Sequence, residues 1–200
     1  MRFGFMEDFR NPIKWRRPFP EFYQQIMDQI KKCEAMGYDN LWLTEHHFTE
    51  DGYNPSLMTT AAAVASHTKT IRIGTFIIIL PYQHPVLLAE EVASVDILSN
   101  GRFELGVGQG YSYHEFKAFC MNRGERGPKT RESIQLIERL FKEEKVTFDG
   151  KFFQTNEAKL SPKPVQQPCP PIWIGARGPK AITKAAELGY HLMATIGPDP

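Results

Sequence analysis

Apolar residues recur along this chain in two alternating rhythms. Residues 2–6 (RFGFM) read as a short strand. In residues 21–37 the positions Phe22, Ile26, Ile30 and Cys33 fall on one helical stripe that Gly37 ends. Residues 40–45 (NLWLTE) give a second strand and 54–68 a second helix, with Ser56 as its cap after Pro55. Residues 71–81 (IRIGTFIIILP) are too apolar for a half-exposed strand, which predicts burial on both faces as in a parallel sheet, and a helix over 85–101 follows. A Gly- and Tyr-rich loop separates the fourth strand, 102–110, from its helix, 129–144. Residues 145–171 break the rhythm with a hairpin-like TFDGKFF and five prolines, and read as an insertion over one face. The alternation resumes with a strand over 171–176, a helix over 179–189 and a last strand over 190–196. Strands alternating with helices predict an α/β fold with a parallel sheet, as a single domain over 1–200. A complete eight-stranded (β/α) barrel takes about 250 residues. The expectation is therefore an incomplete barrel of TIM type, about six of eight strand–helix units in chain order, with an unpaired edge near 191–196.

Composition changes little in that picture. With 42% hydrophobic residues and a formal charge of +1 over 200 residues, the chain can bury a core and carries no charge bias toward nucleic acid. Cys33, Cys120 and Cys169 lie far apart without C-x-x-C spacing, which fits a reducing cytoplasm better than a disulfide framework. The N-terminus turns charged after six residues and no apolar run approaches membrane-spanning length, so neither a signal peptide nor a membrane helix is expected.

Three stretches hold candidate chemistry. In NLWLTEHHFTE the second strand runs into Glu45, His46 and His47. Strand alternation places Trp42, Thr44 and His46 on one side and Leu41, Leu43 and Glu45 on the other. An unperturbed imidazole titrates near pH ~6.5 and suits acid/base work, but from spacing alone a strand-end histidine that merely hydrogen-bonds Glu45 or a loop carbonyl is the plainer reading. Consecutive histidines on a strand point to opposite faces and do not readily share one ion, so no metal is expected. In GVGQG the glycines lack the dinucleotide spacing, but Glu104, Gly106 and Gly108 share one side and leave room for a ring or a bulky core side chain. In IGARGPK a strand runs through Gly175, Ala176, Arg177 and Gly178 into Pro179, which suits a first helical turn. Helix N-termini and a guanidinium favour phosphate, and an ordinary strand-to-helix turn with a solvated arginine fits the same residues. Arg102, with Glu90, Glu91 and Asp96 upstream, reads as a structural ion-pair cluster.

LWLTEHHFTE, IRIGTFIIILPYQHPVLLAEEVASVDILSNGRFELGVGQG and PPIWIGARG, taken in order, resemble the bacterial luciferase-like family of flavin-dependent monooxygenases, over nearly the whole chain. The resemblance implies a (β/α) barrel and makes His46 the catalytic histidine that assists proton transfers as reduced FMN reacts with dioxygen. It implies cofactor contacts from Glu45, Thr75, Phe76, Gln109, Gly110, Gly175, Ala176, Arg177 and Gly178, and a nonprolyl cis peptide within Thr75, Phe76 and Ile77. Where the luciferase α chain has a cysteine and an arginine, this sequence has Gly108 and Gln109, which removes a positive phosphate contact that Arg177 would restore. The implied partners are an apolar small-molecule substrate, a flavin reductase supplying reduced FMN, and a second subunit in a homo- or heterodimer packed through the helices around Ala61, Ala62, Ala63 and Ala65 and around Leu88 and Val92, although the same residues also suit packing onto the barrel. An F420-dependent oxidoreductase and a non-catalytic flavin-binding protein are the alternatives within the same resemblance.

Overall fold

In the computed structural model, which describes residues 1–194, the strands assemble in chain order into one curled, wholly parallel sheet. Its path runs β1 (Gly4–Glu7), β2 (Asn40–Leu43), β3 (Arg72–Thr75), β5 (Phe103–Gly108), β8 (Ile172–Gly175) and β9 (His191–Met193). Short β4 (Ile78–Ile79) pairs with the end of β5 off that path. The register aligns Met6 with Trp42, Trp42 with Gly74, and Gly74 with Glu104. Parallel strands need crossover helices, and these are α1 (Phe19–Ala35), α2 (Leu57–His67), α3 (Pro85–Leu98), α5 (Arg126–Lys142) and α6 (Pro179–Glu187). The expected six-stranded partial barrel is therefore present, and β1 and β9 are its edges among the described residues. Residues Thr195 and Ile196 of the expected last strand lie outside the described residues.

Alternation sorts the side chains into two layers. Leu41, Leu43, Ile73, Phe103, Leu105 and Val107 point to the helices and are fully buried with Ile26, Ile30, Val64, Leu88 and Val92. Each such side chain contributes about 1.5–3 kcal/mol over leaving it exposed. The opposite residues line the concave side. There the indole of Trp42 lies across β3, where a Cβ on Gly74 would stand 2.2 Å from its ring, and meets Trp173 edge-on at 5.3 Å.

Three expectations change. The apolar run 71–81 is not one strand: β3 stops at Thr75, the Phe76–Ile77 peptide is cis, and β4 leads into a 3-10 turn over Leu80–Tyr82. The Gly- and Tyr-rich loop holds a short helix, α4 (Tyr113–Ala118), capped by Ser112, and α5 begins at Arg126 rather than 129. Arg102 forms no ion-pair cluster with the upstream acids. Its guanidinium donates to the carbonyls of Ala65, Thr68, Ile71 and Ser99, so it closes the C-terminal end of α2, where carbonyls lack helical partners and the helix dipole favours a cation. Glu90 and Glu91 are exposed, and Asp96 is taken by the Gln166 amide at 2.6 Å.

The segment after α5 forms the expected hairpin, β6 (Val146–Asp149) against β7 (Gln154–Ala158). Its turn is held on α5, where the Glu132 carboxylate accepts the amides of Lys151, Phe152 and Phe153. Among the described residues no helix is long and apolar enough to cross a membrane.

Candidate active site at the carboxyl ends of the strands

β2 ends at Leu43, and the chain leaves the sheet as Thr44 donates to the Glu7 carbonyl. The return of this loop is anchored by fully buried Asn54, whose carbonyl accepts the His46 amide and whose side-chain amide donates to Thr60. His46 is thus fixed by its backbone at the carboxyl end of the sheet, the side that carries the active face of (β/α) barrels.

Its ring is fixed as well. Nδ1 of His46 lies 2.7 Å from Oε1 of Glu115, the third residue of α4, which is 2% exposed. Burial alone would raise the Glu115 carboxyl, but the hydrogen bonds from His46 and from the His47 amide outweigh it and hold the carboxyl below the usual range. An ionised carboxylate only accepts, so Nδ1 carries the proton and Nε2 is left to face outward. Nε2 lies 3.2 Å from the hydroxyl of exposed Tyr111, which donates to it, and the ring of Tyr53 packs edge-on at 4.8 Å. The arrangement presents one basic nitrogen at an open rim, with its tautomer set from behind.

His47 turns the other way. Its Nε2 lies 3.1 Å from Glu45, which also accepts the Ile79 amide, and its ring packs edge-on against Tyr82 and Phe119. Burial pushes the Glu45 carboxyl up, while the His47 hydrogen bond pulls it down. The hydrogen bond from His47 gives the Glu45 carboxyl a partner in a buried setting where an unpaired polar group would be costly. Glu45 and His47 therefore form a buried pair behind the rim, and His46 alone reaches it.

The other residues singled out from the sequence divide by place. Thr75 is fully buried, and its hydroxyl donates to the Gly106 carbonyl and accepts the Gly106 amide. Phe76 lines the concave face with Met6, Trp42, Trp173 and Met193. The room on the glycine side of β5 is taken by Ile77, whose Cδ1 would stand 2.0 Å from a Cβ on Gly108. Gln109 is exposed and extends toward Gly127 at the start of α5, and Gly110 turns the chain at φ +71°, a conformation that favours glycine. Gly175 ends β8, Ala176 is buried and donates its amide to the Met193 carbonyl, Arg177 is exposed, and Gly178 caps α6. His46 and Glu45 thus belong to one cluster, and residues 175–178 to a second strand end.

Glu115 escaped the sequence reading. Its signal was the S-x-x-E spacing of Ser112 and Glu115, which marks a helix start. Ser112 Oγ accepts the Glu115 amide as that motif requires, but the Glu115 carboxylate turns to His46 instead of reaching back to the cap.

The profile of the luciferase-like monooxygenase family matches residues 1–200. The chain belongs to this family. Among luciferase-like relatives, the oxygenase component of the flavin-dependent trigonelline monooxygenase of Acinetobacter baylyi is 32% identical over 177 residues, 88% of this chain and 49% of that protein. The F420-dependent glucose-6-phosphate dehydrogenase of Amycolatopsis mediterranei is 31% identical over 181 residues, 87% of this chain and 54% of that protein. The crystal structure of the monooxygenase RslO1 from Streptomyces bottropensis superposes with a TM-score of 0.90 at 27% identity, covering 96% of this chain and 59% of that one. The chain spans about half the length of the curated relatives it matches.

Proposed function

We propose that this chain serves a flavin-dependent monooxygenase reaction in which reduced FMN and dioxygen oxidise an apolar organic substrate. His46 is the acid/base and Glu115 the residue that orients it. The observation that carries the reading is the Glu115–His46 couple, with Nε2 aimed at the rim by a buried carboxylate at 2.7 Å. Such a group moves a proton to or from a reacting atom without first reorienting.

Reduced FMN, when bound, supplies the electrons that activate dioxygen. The residues fit it in two respects. The concave face offers apolar and aromatic surface from Met6, Trp42, Phe76 and Trp173, and exposed Arg177 stands at the start of α6, where a phosphate is favoured. Phe76, Gln109, Gly110 and residues 175–178 form the proposed cofactor surface, and Glu45 and Thr75 are buried behind it. Thr75 acts through the β3 end that it fixes, since its hydroxyl is committed to Gly106. A flavin reductase that delivers reduced FMN is the proposed partner, in keeping with the relative named as an oxygenase component. Exposed Leu87 and Leu98 on α3 favour a dimer through the outer helices.

The F420-dependent relative favours a second reading, an oxidoreductase that takes a hydride from its substrate onto oxidised F420 without oxygen. Anaerobic titration with reduced FMN and with oxidised F420, each followed by an oxygen pulse, separates the two. The monooxygenase reading expects binding of reduced FMN and prompt oxygen uptake. Tight binding of F420 alone, with no uptake, would replace it by the second reading.

A further inference from the structure

Glu115 has two carboxylate oxygens, and only Oε1 is engaged by His46 and by the His47 amide. Oε2 lies 3.3 Å from the hydroxyl of Tyr82, at the end of the 3-10 turn after β4. We propose that Tyr82 is a positioning residue for the reaction at His46: by donating to Oε2 it holds the plane of the Glu115 carboxylate so that Oε1 faces Nδ1. The proposal rests on the reading of His46 as the acid/base.

Tyr82 is itself well held. Its ring packs 4.6 Å from Phe119 and 5.0 Å from Phe116, centroid to centroid, and edge-on to His47. The turn that carries it is tied to α5 by Lys129, whose ammonium donates to the Pro81 carbonyl at 2.8 Å. Burial, with Glu115 and Glu45 nearby, pushes the phenol up, so it stays protonated and donates at any pH of interest. The groups facing Glu115 are therefore His46, His47 and Glu45 from the loop after β2 and Tyr82 from the turn after β4, with Lys129 behind that turn. Removing the Tyr82 hydroxyl withdraws a donor from the ionised carboxylate. That makes the carboxylate more basic and frees it to rotate away from Nδ1.

The test is Tyr82→Phe, which keeps the ring and its packing. Carbon-13 NMR titration of the Glu115 carboxyl in the chain without ligand should show its midpoint moving up by about one to two units, the worth of one hydrogen bond to a charged group. Oxidation of added reduced FMN by dioxygen should slow about three- to tenfold, and the acid limb of its pH profile should move to higher pH. A carboxyl midpoint and a pH limb both unchanged, with only a lower melting temperature, would make Tyr82 a packing residue and overturn the proposal. If the unaltered chain does not accelerate oxidation of reduced FMN, the proposed activity fails. The carboxyl titration still decides whether Tyr82 holds Glu115.

Discussion

His46 and His47 are neighbours in sequence with opposite assignments, and the difference comes from which carboxylate each meets. Alternation along β2 already separated them, because it put His46 on the side of Trp42 and His47 on the side of Glu45. What the sequence could not reveal was Glu115, brought to His46 by folding across 69 positions. Its hydrogen bond to His46 carries a pH signature. The folded Glu115 carboxyl lies below its unfolded value of about 4.3, so its contribution to stability is present above that pH and is lost as pH falls through the folded value. Burial raises Glu45 and gives the opposite sign, opposing stability as pH rises above its unfolded value. Urea unfolding of the chain and of Glu115→Gln from about pH 6 to pH 3 should show the wild type losing stability more steeply on the acid side, since Gln cannot take up the proton. Parallel curves would mean that Glu115 is not held in its ionised form by His46.

At the scale of elements, strands and crossover helices were readable wherever local pattern and tertiary need agreed. The α1 stripe is an instance, with Ile26 and Ile30 buried and Phe22 packed beside them. Failures came where a contact overrode the pattern. Residues 71–81 are apolar but for Arg72, Gly74 and Thr75, and their periodicity does not mark the break at Phe76 that divides β3 from β4, where the family resemblance alone implied a cis peptide. Arg102 sits among acids in sequence, yet at the foot of the sheet the carbonyls closing α2 lie nearer to it. The turn from β8 into α6 was readable from Gly178 and Pro179, and it carries a prediction of its own. Arg177→Ala should weaken FMN binding by about 1.5–3 kcal/mol, the range for hydrogen bonds to charged groups, and leave riboflavin, which lacks the phosphate, nearly unaffected. Isothermal titration with both ligands checks this, and equal losses would place the phosphate elsewhere.

At the scale of the molecule, the six main strands curl in the chain order that alternation anticipated. Trp42 crosses the concave layer because Gly74 leaves space for its ring, and Trp173 meets it edge-on. The rim that holds His46 and the strand end that holds Arg177 both lie at the carboxyl ends of the strands, where this class of fold does its chemistry. His46 is proposed to work there on oxygen-dependent flavin chemistry. Rapid mixing of dioxygen with the chain preloaded with reduced FMN, for wild type and His46→Ala, tests it most directly. FMN binding and folding should be comparable in both, and the oxidative step about 10² to 10⁴ slower in the variant, the worth of a positioned acid/base. Equal rates in the two proteins, or a variant whose chief defect is loss of fold, would contradict it.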